Sequence, residues 1–157
     1  MIYRVVRLNV LGLSVARRTV GDHPLIPKDG PVYFASIRII TDDLERLTSF
    51  YESVTRQPAQ RATEDFAQIV TTSASLAIGS RRTVGMLGDG APQPASNNSV
   101  IVEFRVDDVD AEFDNVRQQG ADIVLEPTTM PWGNRSLLFR DPDGNLVNFF
   151  APTAPSA

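Results

Sequence analysis

The chain has 157 residues, 42% hydrophobic and 22% charged, with a formal net charge of −4. That is enough for one domain with a sizeable core and too little for two independent ones. It has no cysteine and one histidine, His23, which excludes disulfides, thiolate chemistry and cysteine metal sites and leaves few histidine-based options. The acidic balance holds no basic stripe, and no apolar run reaches the roughly 20 residues of a membrane helix, so neither nucleic acid nor membrane is expected as a partner and the protein is expected to be cytoplasmic.

Residues 1–32 read as an N-terminal arm and linker. Met1 to Val20 carries arginines, no acid, and apolar residues from Val5 to Leu13. Gly12 interrupts it and no small-residue cleavage site follows, which weighs against a targeting peptide. An extra strand, an arm packed on a neighbour and a disordered segment all stay open. Gly21 to Pro31 is punctuated by Pro24, Pro27 and Gly30, and His23 within it reads as an ordinary linker residue.

The run 33–41 is short, apolar and β-branched, which predicts a strand. Asp42-Asp43 supplies a helix N-cap, and Leu44, Leu47, Phe50, Tyr51 and Val54 follow at helical spacing up to Pro58. Three strands are predicted next, over 60–63, 66–71 and 75–79. The Gly-, Pro-, Ser- and Asn-rich stretch 81–98 reads as a linker between modules. The same grammar then recurs: a strand over 99–106, an Asp107-Asp108 cap, a helix with Val109, Phe113 and Val116 on one face, a C′ glycine at Gly120, and strands over 122–126, 135–140 and 146–150. The two caps, at 43 and 108, are offset by 65 positions. Such a repeat is a stronger fold signal than either half alone. Between the last two strands, Asp141-Pro142-Asp143-Gly144-Asn145 is a structural turn whose spacing lacks the ligands of a calcium loop.

These residues resemble the vicinal-oxygen-chelate superfamily, which holds glyoxalases, bleomycin-resistance proteins and dioxygenases. The first module contributes Asp43-Leu44-Glu45 and Phe50-Tyr51. The second contributes Val106 to Asp110, Pro131-Trp132-Gly133, Arg135 and Phe139 to Asn145. Thr55-Arg56 departs from the Leu-Gly the family commonly has at the helix exit. The resemblance implies an α+β fold: two tandem βαβββ modules, 33–80 and 99–152, joined by 81–98, curl into a half-open barrel-like sheet with a cleft, and 153–157 form a tail. It also implies four metal-ligand positions, which fall here on Ser36, Ala77, Ile101 and Asn148. A methyl and an alkyl group cannot bind metal, and a hydroxyl and an amide are poor ligands beside imidazole or carboxylate. No metal and no cofactor are therefore expected.

Strand alternation puts Ile37, Ile39, Leu76, Ile78, Val102, Phe104, Val106, Val147 and Phe149 in one apolar phase, expected under the helices. The opposite, mixed phase holds Ser36, Arg38, Ile101, Glu103, Arg105, Leu146, Asn148 and Phe150, as a ligand cleft would. Trp132 and Arg135 are expected at its rim. Arg38 and Glu103 occupy equivalent positions, so they form either a ligand anchor or a cross-module ion pair. Trp132 either stacks on a ligand or caps the barrel. The reading that follows is a metal-independent binder of a small organic molecule, assembled as a homodimer. Its alternative is a lyase, isomerase or dioxygenase-type enzyme with Glu103 as general acid/base or with an atypical metal site. A module with a vestigial, filled cleft is a third reading.

Overall fold

Alternating β-branched residues form the first described strand. The computed structural model describes residues 34–153, so the expected arm, its linker with His23, and the last residues of the tail lie outside it. Strand β1 (Ser36–Thr41) leads into helix α1 (Leu44–Thr55), then β2 (Gln60–Thr63), β3 (Phe66–Val70) and β4 (Ser75–Ser80). After a 3-10 segment, Arg81–Gly90, the order repeats as β5 (Ile101–Arg105), α2 (Val109–Gln118), β6 (Asp122–Thr129), β7 (Asn134–Arg140) and β8 (Leu146–Pro152).

Both helices start where a carboxylate caps free backbone N–H groups. Asp43 accepts from Arg46 N–H at 3.0 Å, and Asp108 accepts from the N–H groups of Asp110 and Ala111. Leu47, Tyr51 and Val54 of α1 and Val109 and Val116 of α2 then bury one stripe each. Gly120 takes the left-handed conformation just past α2, as expected of a C′ glycine. At the end of α1 the same conformation falls on Arg56, with φ 54°. A side chain there costs about 1–2 kcal/mol. The ion pair from Arg56 to Glu112 of α2 accompanies that strain and ties the helices together.

The sheets have orders β1-β4-β3-β2 and β5-β8-β7-β6. In each, the first strand pairs in parallel with the last and so becomes an edge. Neither sheet closes into a barrel; the architecture is the two-module α+β arrangement the repeat predicts. The modules share one core. Phe50 and Tyr51 of α1 reach Phe139 and Phe104 of the second module, with ring centroids 6.3 Å apart in both cases. Phe104 and Phe139 in turn meet Phe149 edge-on at 5.7 and 5.1 Å. The apolar phase lies under the helices, with Phe149 buried and Phe104 packed against the core.

The interval 81–98 does not run as a plain linker. Its first part winds into 3-10 turns because side chains satisfy the backbone locally. The Ser80 hydroxyl accepts from Arg82 N–H at 3.2 Å, and the Thr83 hydroxyl donates to the Ser80 carbonyl at 2.7 Å. Gly79 permits that approach, since a Cβ there would stand 2.7 Å from the Thr83 hydroxyl.

Tyr51 is fully buried and donates to Asp141 at 2.9 Å. Burial, and then the neighbouring Asp141 carboxylate, push its ionisation well above the ordinary tyrosine value. Below about pH 10 the phenol is neutral in both the folded and unfolded states, and its contribution to stability is complete. As pH rises further only the unfolded chain loses the proton, so stability falls. The Tyr51 phenolate band, read at 295 nm as wild type minus Tyr51→Phe, is expected to emerge together with the loss of circular dichroism. A band that rises at about pH 10 with the fold intact would refute the burial argument.

Candidate functional site

The site is built from the sheet faces turned away from the helices. In the first sheet the register aligns Arg38, Ala77, Gln68 and Gln60 across all four strands. In the second it aligns Glu103, Asn148 and Leu138, with Ile101, Leu146 and Arg140 on one side and Arg105, Phe150 and Ser136 on the other. Glu103 accepts a hydrogen bond from the Asn148 amide at 2.8 Å. The Asn148 carbonyl oxygen is buried and has no partner among the described residues. An unmet acceptor of this kind costs about 1–3 kcal/mol unless a donor arrives from outside.

Arg38 and Glu103 do not pair. The Arg38 guanidinium lies over the Phe66 ring, 5.4 Å from its centroid, while Glu103 is held by Asn148 within its own sheet. Each module therefore occupies its own polar group locally. Arg135 also departs from the expected rim. It shares a phase with Leu137 and Phe139, faces α2, and pairs with Asp110 in the first turn of that helix. That contact holds the Asp110 carboxyl below its ordinary range. Trp132 stands in the turn closed by Gly133 N–H to the Met130 carbonyl, 71% exposed. Ser36, Arg38, Glu103 and Arg105 are exposed, and Asn148 and Phe150 half-buried, on the helix-free faces.

One electrostatic pattern was not read from the sequence. Ten arginines fall within residues 34–153. Seven pair with carboxylates: Arg46, Arg56, Arg61, Arg81, Arg82, Arg117 and Arg135. The other three, Arg38, Arg105 and Arg140, all lie on the helix-free faces and have no carboxylate partner among the described residues. Arg140 donates to the Gly144 carbonyl, and Asp122 stands beside it in register without forming an ion pair. Charge alternation along a strand says which face a residue takes; it does not say whether a partner comes within reach.

Residues 33–149 match the model of the Glyoxalase/Bleomycin resistance protein/Dioxygenase superfamily. The chain belongs to this superfamily. It is 23% identical over 120 residues to YraH of Bacillus subtilis (strain 168), covering 73% of this chain and 94% of that protein. It is 26% identical over 149 residues to CFP32 of Mycobacterium bovis, covering 90% of this chain and only 51% of that protein, so it spans about half the length of this relative. Among solved structures, a glyoxalase/bleomycin resistance protein/dioxygenase from Nocardioides superposes with a TM-score of 0.66 at 20% identity, covering 81% of this chain and 87% of that one. At that identity the likeness speaks for the fold.

Metal-dependent members of the superfamily supply the reason to test a metal here. The four corresponding residues do not fit one. Ser36 is exposed, Ala77 is buried and carries only a methyl group, Ile101 is 46% exposed, and the Asn148 amide is turned to Glu103. Among the described residues no three His, Asp or Glu side chains converge on one point. Nor is any helix among them long and apolar enough to cross a membrane.

Proposed function

We propose that the protein binds a small organic ligand without a metal, on the helix-free faces of its sheets, and that the ligand is an anion. The carrying observation is the segregation of arginines: those elsewhere are neutralised, and Arg38, Arg105 and Arg140 are left for something else. A guanidinium offers a planar fork of donors that matches a carboxylate or phosphonate. Phe66 and Phe150 give aromatic surface beside it, and the unmet Asn148 carbonyl accepts from a ligand donor. Against a net charge of −4, these faces set Arg38, Arg105 and Arg140 beside Glu103 and Asp122 with no ion pair among them.

The test is extraction of freshly purified protein followed by mass spectrometry of the released small molecules and elemental analysis. A bound organic anion is expected in the wild type and lost from the Arg38→Gln/Arg105→Gln double variant. Zn, Ni, Mn and Fe are expected well below one equivalent. Added metal or chelator is expected to leave the melting temperature unchanged, since a ligand of the native state would raise it by mass action. One equivalent of any of these metals would overturn the metal-independent reading.

A second reading has its own observation. In this reading the Glu103 carboxylate, which accepts from the Asn148 amide on the open face, takes a proton from a bound substrate. Turnover that is lost in Glu103→Gln with binding retained would favour an enzyme. We also propose a homodimer, on the strength of Ile101, Val100 and Trp132 standing exposed on or near the same faces. Light scattering at high micromolar concentration that gives a monomer would count against it.

A further inference from the structure

We infer that a cavity between β1 and β5 binds a neutral, flat heterocycle carrying an N–H and a C=O side by side, recognised by the backbone edge of β1. The cavity measures about 290 Å³. Its walls include Ile37 and Ile39 from the first module and Val100 and Val102 from the second. Ile37, Ile39 and Val102 belong to the helix-side phase, so the site is separate from the helix-free faces and goes beyond the anion proposed for them. None of Ser36, Ala77, Ile101 or Asn148 lines it. Since a cavity of about 150 Å³ holds benzene, this one has room for two fused rings.

The recognition comes from the ladder. Successive strand residues turn their N–H and C=O groups to opposite edges. The Ala35 carbonyl accepts from Ser75 N–H at 3.1 Å, so Ala35, Ile37 and Ile39 serve the pairing with β4. Ser36, Arg38 and Ile40 therefore turn theirs away from β4, to an edge that no strand pairs with among the described residues. Arg38 and Ile40 both line the cavity. The second module has no such groups to offer there. Val106 N–H donates to the Phe150 carbonyl, which turns Val102 to the β8 ladder, and Asn97 occupies both the N–H and the carbonyl of Val100. The polar side chains of the lining are engaged as well. Gln93 bonds Arg81 and the Ala91 carbonyl, Ser96 donates to the Gln93 carbonyl, and Asn145 donates to Asp141. The Arg38 guanidinium stacks on Phe66 of β3, two strands in from this edge, and takes no part. What remains is an apolar slot with the N–H and C=O of Arg38 on one side. A lactam edge pairs with such groups as a neighbouring strand would. A charged ligand of either sign finds no counter-charge.

The experiment compares 2-quinolinone with coumarin, alike in shape, with the ring N–H of the first replaced by oxygen in the second. Calorimetry and thermal shift are read on the full chain. 2-Quinolinone is expected to bind and raise the melting temperature, with coumarin weaker by about tenfold, because it leaves the backbone carbonyl unpaired. Two substitutions at one position separate backbone from side chain. Arg38→Gln removes the guanidinium and is expected to leave the affinity unchanged. Arg38→Pro removes an N–H that the β4 ladder does not use, as edge strands tolerate, and is expected to weaken 2-quinolinone by about tenfold. Val100→Trp, which fills the cavity from its rim, is expected to abolish binding. If Arg38→Pro or Val100→Trp fails to fold by circular dichroism, Ser96→Trp on the exposed linker tests the same space. Equal affinity for 2-quinolinone and coumarin, no binding of 2-quinolinone at millimolar concentration, unchanged binding in folded Arg38→Pro, or full binding with the cavity filled would each overturn the inference. Loss of binding in Arg38→Gln would also overturn it, since the side chain rather than the backbone would then hold the ligand.

Discussion

Replacing Asp141 by alanine is expected to lower stability by about 3–5 kcal/mol, the range for uncovering the partners of a buried, hydrogen-bonded charge. Its carboxylate is only 4% exposed and accepts four hydrogen bonds. One oxygen takes the Tyr51 hydroxyl at 2.9 Å and the Asn145 amide at 2.8 Å; the other takes the backbone N–H groups of Asp143 and Asn145, both at 2.9 Å. Tyr51 belongs to α1 and the rest to the β7–β8 turn, so this one group welds the first module to the second. Alanine leaves all four donors without that partner, and two of them belong to the buried Asn145. Tyr51→Phe removes a single bond and is expected to cost about 1–3 kcal/mol. Urea unfolding with an unchanged m-value measures both. A loss below about 1 kcal/mol for Asp141→Ala would show that the turn does not hold the modules together.

The periodic parts of this fold were legible in the sequence because they depend on neighbours along the chain. Both caps, both helices, the glycine at 120 and the apolar phase from Ile37 to Phe149 follow from spacing alone. The DPDGN run was legible as a turn, but its grip on Tyr51, 90 positions away, was not. An aspartate before proline caps a local turn whether or not a distant phenol reaches it. The same limit explains the site. Alternation placed Arg38, Glu103 and Arg105 on the open faces, yet the ion pair suggested by Arg38 and Glu103 needed a distance that symmetry does not supply. Arg135 was expected at the rim from its place in a motif; its phase with Leu137 and Phe139 puts it on the helix side. That signal was available in the strand's own alternation. A cavity between β1 and β5 had no linear signature, since its walls are drawn from β1, the linker, β5 and the last turn.

Phe139→Ala is expected to cost about 3–5 kcal/mol, the usual range for emptying a large aromatic site in a core. Phe139 has 0% exposure and sits between Phe149 at 5.1 Å and Phe50 of α1 at 6.3 Å. The cavity left behind would therefore open on both modules at once. Aromatic pairs add about 0.5–1.5 kcal/mol beyond area burial, and two such pairs are lost here. If the ring cluster is one core, the weakened protein still unfolds in a single transition, with fluorescence of Trp132 and far-ultraviolet circular dichroism coincident. Two separated transitions, or a loss confined to the second module, would mean that each βαβββ unit stands alone and that Phe50 and Tyr51 only rest against its neighbour. The distinction bears on function. One cooperative unit keeps the helix-free faces of the two sheets in fixed register. Modules that separated would let that register drift and move Arg38 of the first sheet relative to Arg105 and Arg140 of the second.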